Sequence, residues 1–176
     1  MASPDEILPD TKDWTWVLER RCPECAFEAG AVAGSALPAL LRGFAARWQE
    51  VLLRPDVARR PAPAIWSPLE YACHVRDASC IFRGRAEAML TQDDPAFENW
   101  DQDATALAER YGEQDPATVA GELREAAEAT AATFAGVARE QWSRTGRRSD
   151  GSVFTVETLG QYYAHDIAHH LWDVRG

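Results

Sequence analysis

Hydrophobic residues recur at helical spacing in four stretches of the chain. Apolar positions that follow one another at intervals of three and four are typical of a helix with one face in a core. The first stretch predicts a helix from about Pro38 to Leu53, and the second predicts one from Pro68 to about Met89. The third runs from Asp115 to about Trp142, and the last from Thr155 to Val174.

The second helix begins with a complete capping signal. Ser67 stands at the N-cap position, Pro68 at the first helical position and Glu70 at the third. In a capping box, the serine side chain accepts a hydrogen bond from the third backbone N–H, and the glutamate side chain accepts one from the N-cap N–H. The motif therefore predicts that the helix starts at Pro68.

The segments between these helices have weaker patterns. Residues 1–35 suggest one short extended piece at Asp13–Leu18 and otherwise loop. Residues 91–115 are acidic and loop-like, with at most a short helix near Ala104–Tyr111, and Arg147–Gly151 is typical of a turn. The pattern predicts no convincing pair of strands.

Four helices without paired strands predict an all-α protein, a four-helix bundle with a less regular N-terminal segment. The chain has 176 residues, of which 46% are hydrophobic, and this gives room for one core. We expect residues 1–35 to form an N-terminal extension packed on the bundle, and residues 36–176 to form the bundle itself. Because two links are longer than a tight antiparallel turn, the order of the helices around the bundle stays open.

Charge and composition exclude several classes of partner. The net charge of −10 argues against nucleic acid, whose binding requires a basic face. The chain has no Lys/Arg run typical of a membrane surface, no stretch of about 18 apolar residues and no signal-peptide pattern at its start. We therefore expect a cytoplasmic protein that acts on a small molecule, without nucleic-acid or membrane partners; a homodimer is left open.

Three of the four histidines stand in the last helix, in the run His165-Asp-Ile-Ala-His169-His170. His165 and His169 are four residues apart, so their side chains share one face about 6 Å apart. His170 lies about 100° around the helix and is expected to point elsewhere. The fourth histidine, His74, falls in the second helix.

Two imidazoles at this spacing are half of a divalent-metal site, although two satisfied polar residues at a helix surface would show the same pattern. His74 would complete a set of three nitrogen ligands if the second and last helices are neighbours. Three protein ligands with an open position are typical of catalytic rather than structural zinc. Asp77, three residues after His74, and Asp166 are candidates to support the ligands or to act as a base.

The cysteines permit several interpretations. Cys22 and Cys25 form a C-x2-C pair, which is half of a zinc knuckle or a redox pair. A reversible disulfide, a shared or inter-subunit metal site and two inert thiols all remain open for them. Cys73 and Cys80 are seven residues apart in a predicted helix, too far for a disulfide, and are expected to be small core residues.

Two motifs resemble a known family. Trp66-Ser-Pro-Leu-Glu-Tyr-Ala-Cys-His74-Val-Arg-Asp77 is followed, about ninety residues later, by Tyr163-Ala-His165-Asp-Ile-Ala-His169-His170-Leu. Together they resemble the DinB/YfiT-like superfamily, in particular the branch that contains mycothiol-dependent maleylpyruvate isomerases. The resemblance covers roughly residues 36 to 174 and leaves the first 35 residues unexplained.

The resemblance implies an α-helical bundle that holds one divalent metal, with zinc expected first and nickel or iron as alternatives. Carried over to this sequence, its ligands are His74, His165 and His169, although some members have Glu at the position of His165. The resemblance also implies a thiol-dependent transferase or isomerase that uses a low-molecular-weight thiol as cosubstrate, held by the metal as thiolate. Metal-dependent hydrolysis and a non-catalytic, stress-related metal-binding module are the alternatives.

Overall fold

The computed structural model describes residue 7 and residues 12–176. Within this part of the chain, five α-helices and three short strands follow one another. The helices are α1 (Leu37–Leu52), α2 (Pro68–Thr91), α3 (Gln102–Ala108), α4 (Pro116–Ala135) and α5 (Val156–Asp173), and the strands are β1 (Ala96–Phe97), β2 (Thr145–Arg148) and β3 (Val153–Thr155).

Helices α1, α2, α4 and α5 form a four-helix bundle, which confirms the predicted fold class. Helix α4 packs between α1 and α2 on one side of the bundle, and α5 packs between them on the other. All four helices supply fully buried side chains, among them Trp48, Leu69, Phe134 and Leu159. The packing of α2 on α5 is the feature that positions the site described below. No helix in the described part of the chain is both long enough and apolar enough to cross a bilayer.

The start of α2 has the predicted capping box. The Glu70 backbone N–H donates to Ser67 Oγ at 3.2 Å, and the Ser67 N–H donates to Glu70 Oε2 at 2.7 Å. Arg60 also donates to the Glu70 carboxylate. Burial raises the pKa of Glu70, but the hydrogen bonds from Arg60 and Ser67 outweigh it and leave the pKa lowered. The start of α2 is thus fixed by charge as well as by backbone geometry.

Replacing Ser67 by alanine is expected to destabilise the protein by about 1 kcal/mol, because one backbone N–H at the helix start loses its acceptor. The free energy of unfolding in urea measures the change. Ser35→Ala, at an exposed serine before α1, is the control and should have almost no effect. An unchanged unfolding midpoint in Ser67→Ala would show that the capping box does not stabilise this helix.

The small sheet was not predicted. Strand β2 pairs in parallel with β1 and antiparallel with β3, with Ala96 opposite Arg147 and Thr145 opposite Thr155. Helix α4 also ends earlier than predicted, at Ala135 with Gly136 as its C-cap rather than near Trp142. Strands of two to four residues are too short to show the alternation of apolar and polar positions from which strands are predicted.

The N-terminal segment, residues 12–36, lies along α5. Gln161 Nε2 donates to the carbonyl of Val32, and the Gly34 N–H donates to Glu157 Oε1, both at 2.8 Å. The extended piece predicted at Asp13–Leu18 is instead a 3₁₀ turn over Thr15–Leu18. The Asp13 side chain accepts from both the backbone N–H and the hydroxyl of Thr15, which favours a turn over an extended strand.

Candidate metal centres

Two groups of side chains with metal-ligating atoms lie on neighbouring faces of α5. The His-Asp-His group consists of His74, Asp166 and His170, and the Cys-His group consists of Cys22, Cys25, His165 and His169. In each group, one ligand atom from every residue lies within 4.8 Å of the others. Both groups could hold a metal ion.

The structure therefore does not bring His74, His165 and His169 together as the sequence analysis expected. A pair of side chains four residues apart on α5 does lie near His74, but this pair begins at Asp166 and not at His165. Asp166 and His170 are also four residues apart, and it is their face that meets His74 on α2. His165 and His169 face the N-terminal segment instead. His170 is offset from His165 and His169 as expected, but it is His170 that lies beside His74.

The His-Asp-His group is tightly spaced, with His74 buried and Asp166 and His170 partly buried. His74 Nε2 lies 3.4 Å from Asp166 Oδ2, and His170 Nε2 lies 3.6 Å from Asp166 Oδ1. Among the described residues, neither ring nitrogen of His74 has a hydrogen-bond partner, and the same is true of Asp166 Oδ2. Buried polar atoms without partners are costly and rare in folded proteins. A divalent cation among these atoms would satisfy them, so the residues fit a metal.

Asp173 orients His170. The two side chains are joined by a hydrogen bond of 2.8 Å between His170 Nδ1 and Asp173 Oδ2, which leaves Nε2 directed toward Asp166. A carboxylate on the outer nitrogen of a ligating histidine is a usual feature of metal sites, since it fixes the tautomer and the ring orientation. Burial alone would lower the pKa of His170, but Asp166 and Asp173 outweigh it and raise this pKa to about 10. Asp166 in turn has its pKa lowered, because the charges of His74 and His170 outweigh burial.

The Cys-His group joins the N-terminal segment to α5. Cys22 Sγ lies 3.7 Å from His169 Nδ1, and Cys25 Sγ lies 3.7 Å from His165 Nε2. Both cysteines are free thiols. Burial, with a smaller contribution from His169, lowers the pKa of His165 to about 4, and burial also lowers the pKa of His169. Both imidazoles are therefore neutral at neutral pH, with nitrogen lone pairs available.

A cavity of about 840 Å³ is lined by residues of both groups. The N-terminal segment contributes Trp14 to its wall, and the loop before α3 contributes Trp100, whose ring stacks on His74 with centroids 5.1 Å apart. Its lining also includes Phe82, Arg85, Arg148 and Tyr162. The His-Asp-His group thus faces a space large enough for a small-molecule ligand.

A sequence model of the DinB superfamily matches residues 36–174. The chain belongs to the DinB superfamily. This confirms the resemblance inferred from the motifs around His74 and His165. No curated protein sequence matches the chain.

This DinB-superfamily chain also resembles a solved structure. The match, with a TM-score of 0.69 and 17% sequence identity, is to YfiT from Bacillus subtilis. That protein is described as a probable metal-dependent hydrolase with an unusual four-helix bundle topology. The similarity covers 95% of this chain and 89% of that one. At this level of identity it shows a shared fold.

The two carboxylates singled out in the DinB-like motifs differ in position. Asp166 lies inside the His-Asp-His group. Asp77 accepts hydrogen bonds from Arg76 Nε and from the Tyr111 hydroxyl, and among the described residues it joins neither group. The link between α3 and α4 supplies Tyr111, which draws Asp77 away from the cavity.

Sequence reasoning missed Arg85. It stands about three helical turns after His74 on the same face of α2, so its position could have been found by continuing the face of His74. Its side chain is only 8% exposed and lines the cavity. The pairing of Cys22 and Cys25 with His165 and His169 was also missed, although a C-x2-C and an H-x3-H together are a familiar zinc-ligand pattern.

Proposed function

We propose that this protein is a metal-dependent enzyme whose cation is held by His74, Asp166 and His170. Its reaction is either the transfer of a small thiol to an anionic substrate or the isomerisation of such a substrate. A single observation carries the proposal. Two imidazoles and a carboxylate from two packed helices converge on the wall of a cavity, and three of their buried polar atoms have no hydrogen-bond partner among the described residues.

The donor set suits a reactive rather than a structural metal. Structural zinc fills all four positions with protein, whereas catalytic zinc has three protein ligands and a position for water or substrate. Nitrogen and carboxylate donors suit zinc first, and nickel or iron also accept them. When bound, such a cation makes a coordinated water more acidic and deprotonates a coordinated thiol.

The surrounding side chains hold these ligands in place. Asp173 fixes the ring of His170 through the hydrogen bond described above. Trp100 lies flat on the ring of His74, and Trp66 packs against it at a tilt with centroids 5.7 Å apart. These two indoles restrict His74 and exclude water from one side of the group.

Thiol transfer is favoured over hydrolysis by two of the carboxylates on the cavity wall, Asp13 and Asp150. A general base for water needs an accessible site for the proton and a pKa near the working pH. Asp13 has its pKa lowered by hydrogen bonds from Thr15, and Arg148 lowers the pKa of Asp150 to about 2. These groups are therefore weak bases, whereas a thiol that binds the cation loses its proton without one.

Arg85 indicates the charge of the substrate. Its guanidinium lies over the rings of Phe82 and Phe97, at 5.3 and 4.9 Å from their centroids, and donates to the carbonyl of Glu98. Burial and the nearby Arg148 lower its pKa to about 10, so it remains a cation at neutral pH. No carboxylate in the described part of the chain forms an ion pair with it. A carboxylate or phosphate of the substrate would compensate this buried charge.

Hydrolysis is the second candidate. Two histidines and one carboxylate are also the zinc ligands of several hydrolases, and such a cation lowers the pKa of its bound water to about 7. The description of YfiT as a probable metal-dependent hydrolase points in the same direction.

Two chromogenic assays on zinc-loaded protein separate the candidates. One follows the displacement of chloride from 4-chloro-3-nitrobenzoate, an anionic electrophile, by a small thiol, which forms a thioether. The other follows hydrolysis of 4-nitrophenyl acetate. We expect thiol-dependent turnover in the first assay that is absent from His74→Ala. Turnover confined to the ester, with the same dependence on His74, would establish the hydrolase instead. No metal-dependent turnover in either assay would favour the non-catalytic module.

Thiol binding itself gives a further prediction. A small thiol is expected to bind the zinc-loaded protein with release of about one proton, since a coordinating thiol is deprotonated. Calorimetry in two buffers of different ionisation enthalpy measures this proton. The His74→Ala/His170→Ala double variant should not bind the thiol. Cys80→Ser should bind it as the wild type does, because Cys80 is exposed and is not the core residue that the sequence predicted. Equal binding by the double variant would contradict thiolate formation at this group.

A further inference from the structure

The four residues of the Cys-His group have no role in the proposed reaction. We propose that Cys22, Cys25, His165 and His169 form a second metal site, a closed tetrahedral zinc site that fastens the N-terminal segment to α5. Two thiolates and two neutral imidazoles are a ligand set of structural zinc. The site is separate from the His-Asp-His group, and the inference does not depend on the proposed function.

The distances suit a tetrahedral ion. With zinc–sulfur and zinc–nitrogen bonds of about 2.3 and 2.1 Å, adjacent sulfur and nitrogen ligands of a tetrahedron lie about 3.6 Å apart. The two sulfur–nitrogen distances in the structure are both 3.7 Å, and all four ligand atoms lie within 4.8 Å of one another. The ligand atoms therefore already stand close to the corners that zinc would require.

The surroundings of His169 support the same assignment. Its Nδ1 faces Cys22, while its Nε2 lies 3.3 Å from Glu24 Oε2 and 4.0 Å from Asp173 Oδ1. A ligating histidine usually donates its outer N–H to a carboxylate. Glu24 lies between the two cysteines in the sequence, so the C-x2-C segment supplies both the thiols and this carboxylate.

The burial and the charge of the Cys-His group favour the binding of a cation. Cys22 is 1% exposed, and His165 and His169 are 4% and 8% exposed. The ring of Trp14 covers both imidazoles, with centroid distances of 5.6 and 5.0 Å. A divalent ion balances the charge of two thiolates, so the buried group becomes electrically neutral when the ion binds.

The chain between the two cysteines folds as a tight loop. The Cys22 N–H donates to the carbonyl of Phe27 at 2.9 Å, and the Ala26 N–H donates to the carbonyl of Cys22 at 3.0 Å. This loop presents both sulfurs to α5. Since Trp14 also lines the cavity, the zinc site would hold one wall of the substrate cavity in place.

The test uses cobalt(II) as the probe in otherwise unmodified protein. Protein purified under reducing conditions and without a nickel column is stripped, reloaded with cobalt, and examined by absorption spectroscopy. Thiolate ligation gives intense thiolate-to-cobalt charge-transfer absorption in the near ultraviolet, which histidine and carboxylate ligands do not produce. We expect this absorption to saturate at one thiolate-ligated cobalt per chain, and zinc to abolish it by displacement. Absence of the band from the wild type would overturn the proposal.

Variants assign the ligands. Cys22→Ser/Cys25→Ser should lose the charge-transfer band and one equivalent of metal, whereas Cys80→Ser should retain both. His74→Ala should keep the band, because its ligand belongs to the other group. Loss of the band in His74→Ala would overturn the separation of the two sites, independently of any result on turnover.

Two measurements on the wild type keep the test valid if the double cysteine variant fails to fold. Zinc should slow alkylation of Cys22 and Cys25 at least tenfold, as read by peptide mass spectrometry, with Cys80 as the internal control. Zinc should also slow tryptic cleavage after Arg20 and Arg21, which are exposed and precede Cys22. Equal alkylation and cleavage rates with and without zinc would overturn the proposal, as would a disulfide between the two cysteines in reduced, zinc-loaded protein.

Discussion

Replacing His170 by alanine is expected to weaken zinc binding at the His-Asp-His group by more than about 100-fold. Loss of a partner that merely supports a ligand costs about 10- to 100-fold in affinity, and His170 is itself a ligand in the proposed site. The substitution also removes one of the two imidazoles beside Asp166. Competition with a chromophoric chelator measures the affinity, and elemental analysis should show the loss of one equivalent of zinc.

His169→Ala is the matched control, because the two histidines are adjacent on α5 but belong to different groups. With cobalt as probe, His169→Ala should lose or change the thiolate charge-transfer band and retain the second ion, whereas His170→Ala should do the reverse. The ligand set expected from the sequence, His74 with His165 and His169, predicts that His170→Ala has no effect on metal binding. Unchanged metal content and affinity in His170→Ala would therefore indicate that His74, His165 and His169 are the ligands.

Local signals predicted much of the fold. The capping box at Ser67 and the prolines at positions 38, 68 and 116 fix helix starts through interactions within one or two turns, and α1, α2 and α4 begin within a residue of the predicted positions. The short strands could not be predicted from local sequence signals. Strand β1 pairs with β2 about fifty residues later, and only the tertiary structure brings the two together.

The site was predicted in part. Spacing alone identified α5 as the helix that carries the candidate metal ligands, but it allowed two overlapping pairs, His165 with His169 and Asp166 with His170. A rotation of about 100° around the helix axis distinguishes them, and this rotation is set by how α5 packs on α2 and on the N-terminal segment. A pattern that counts only histidines favours the first pair. If Cys22 and Cys25 are assigned as partners of His165 and His169, then Asp166 and His170 remain as the partners of His74.

The substitution Arg85→Met is expected to weaken the binding of anionic substrates while leaving the fold as stable as before, or more stable. A hydrogen bond to a charged group is worth about 1.5–3 kcal/mol, so kcat/KM for an anionic substrate should fall by about 10- to 150-fold. Replacing a buried charge by an apolar side chain of similar volume is often neutral or stabilising. A methionine in this place can pack between Phe82 and Phe97, and the Glu98 carbonyl, on an exposed residue, can turn to water.

Thermal unfolding tests both parts of this prediction even before a substrate is known. Ligands that bind only the folded state raise Tm by mass action, so 4-chloro-3-nitrobenzoate should stabilise the wild type and have little effect on Arg85→Met. Arg83→Met is the matched control on the same helix, since Arg83 pairs with Glu87 and does not line the cavity. It should respond to the anion as the wild type does. A lower Tm of Arg85→Met together with an unchanged response to the anion would contradict the prediction. Arg85 would then stabilise the fold through contacts within the protein, and the substrate would need no negative charge.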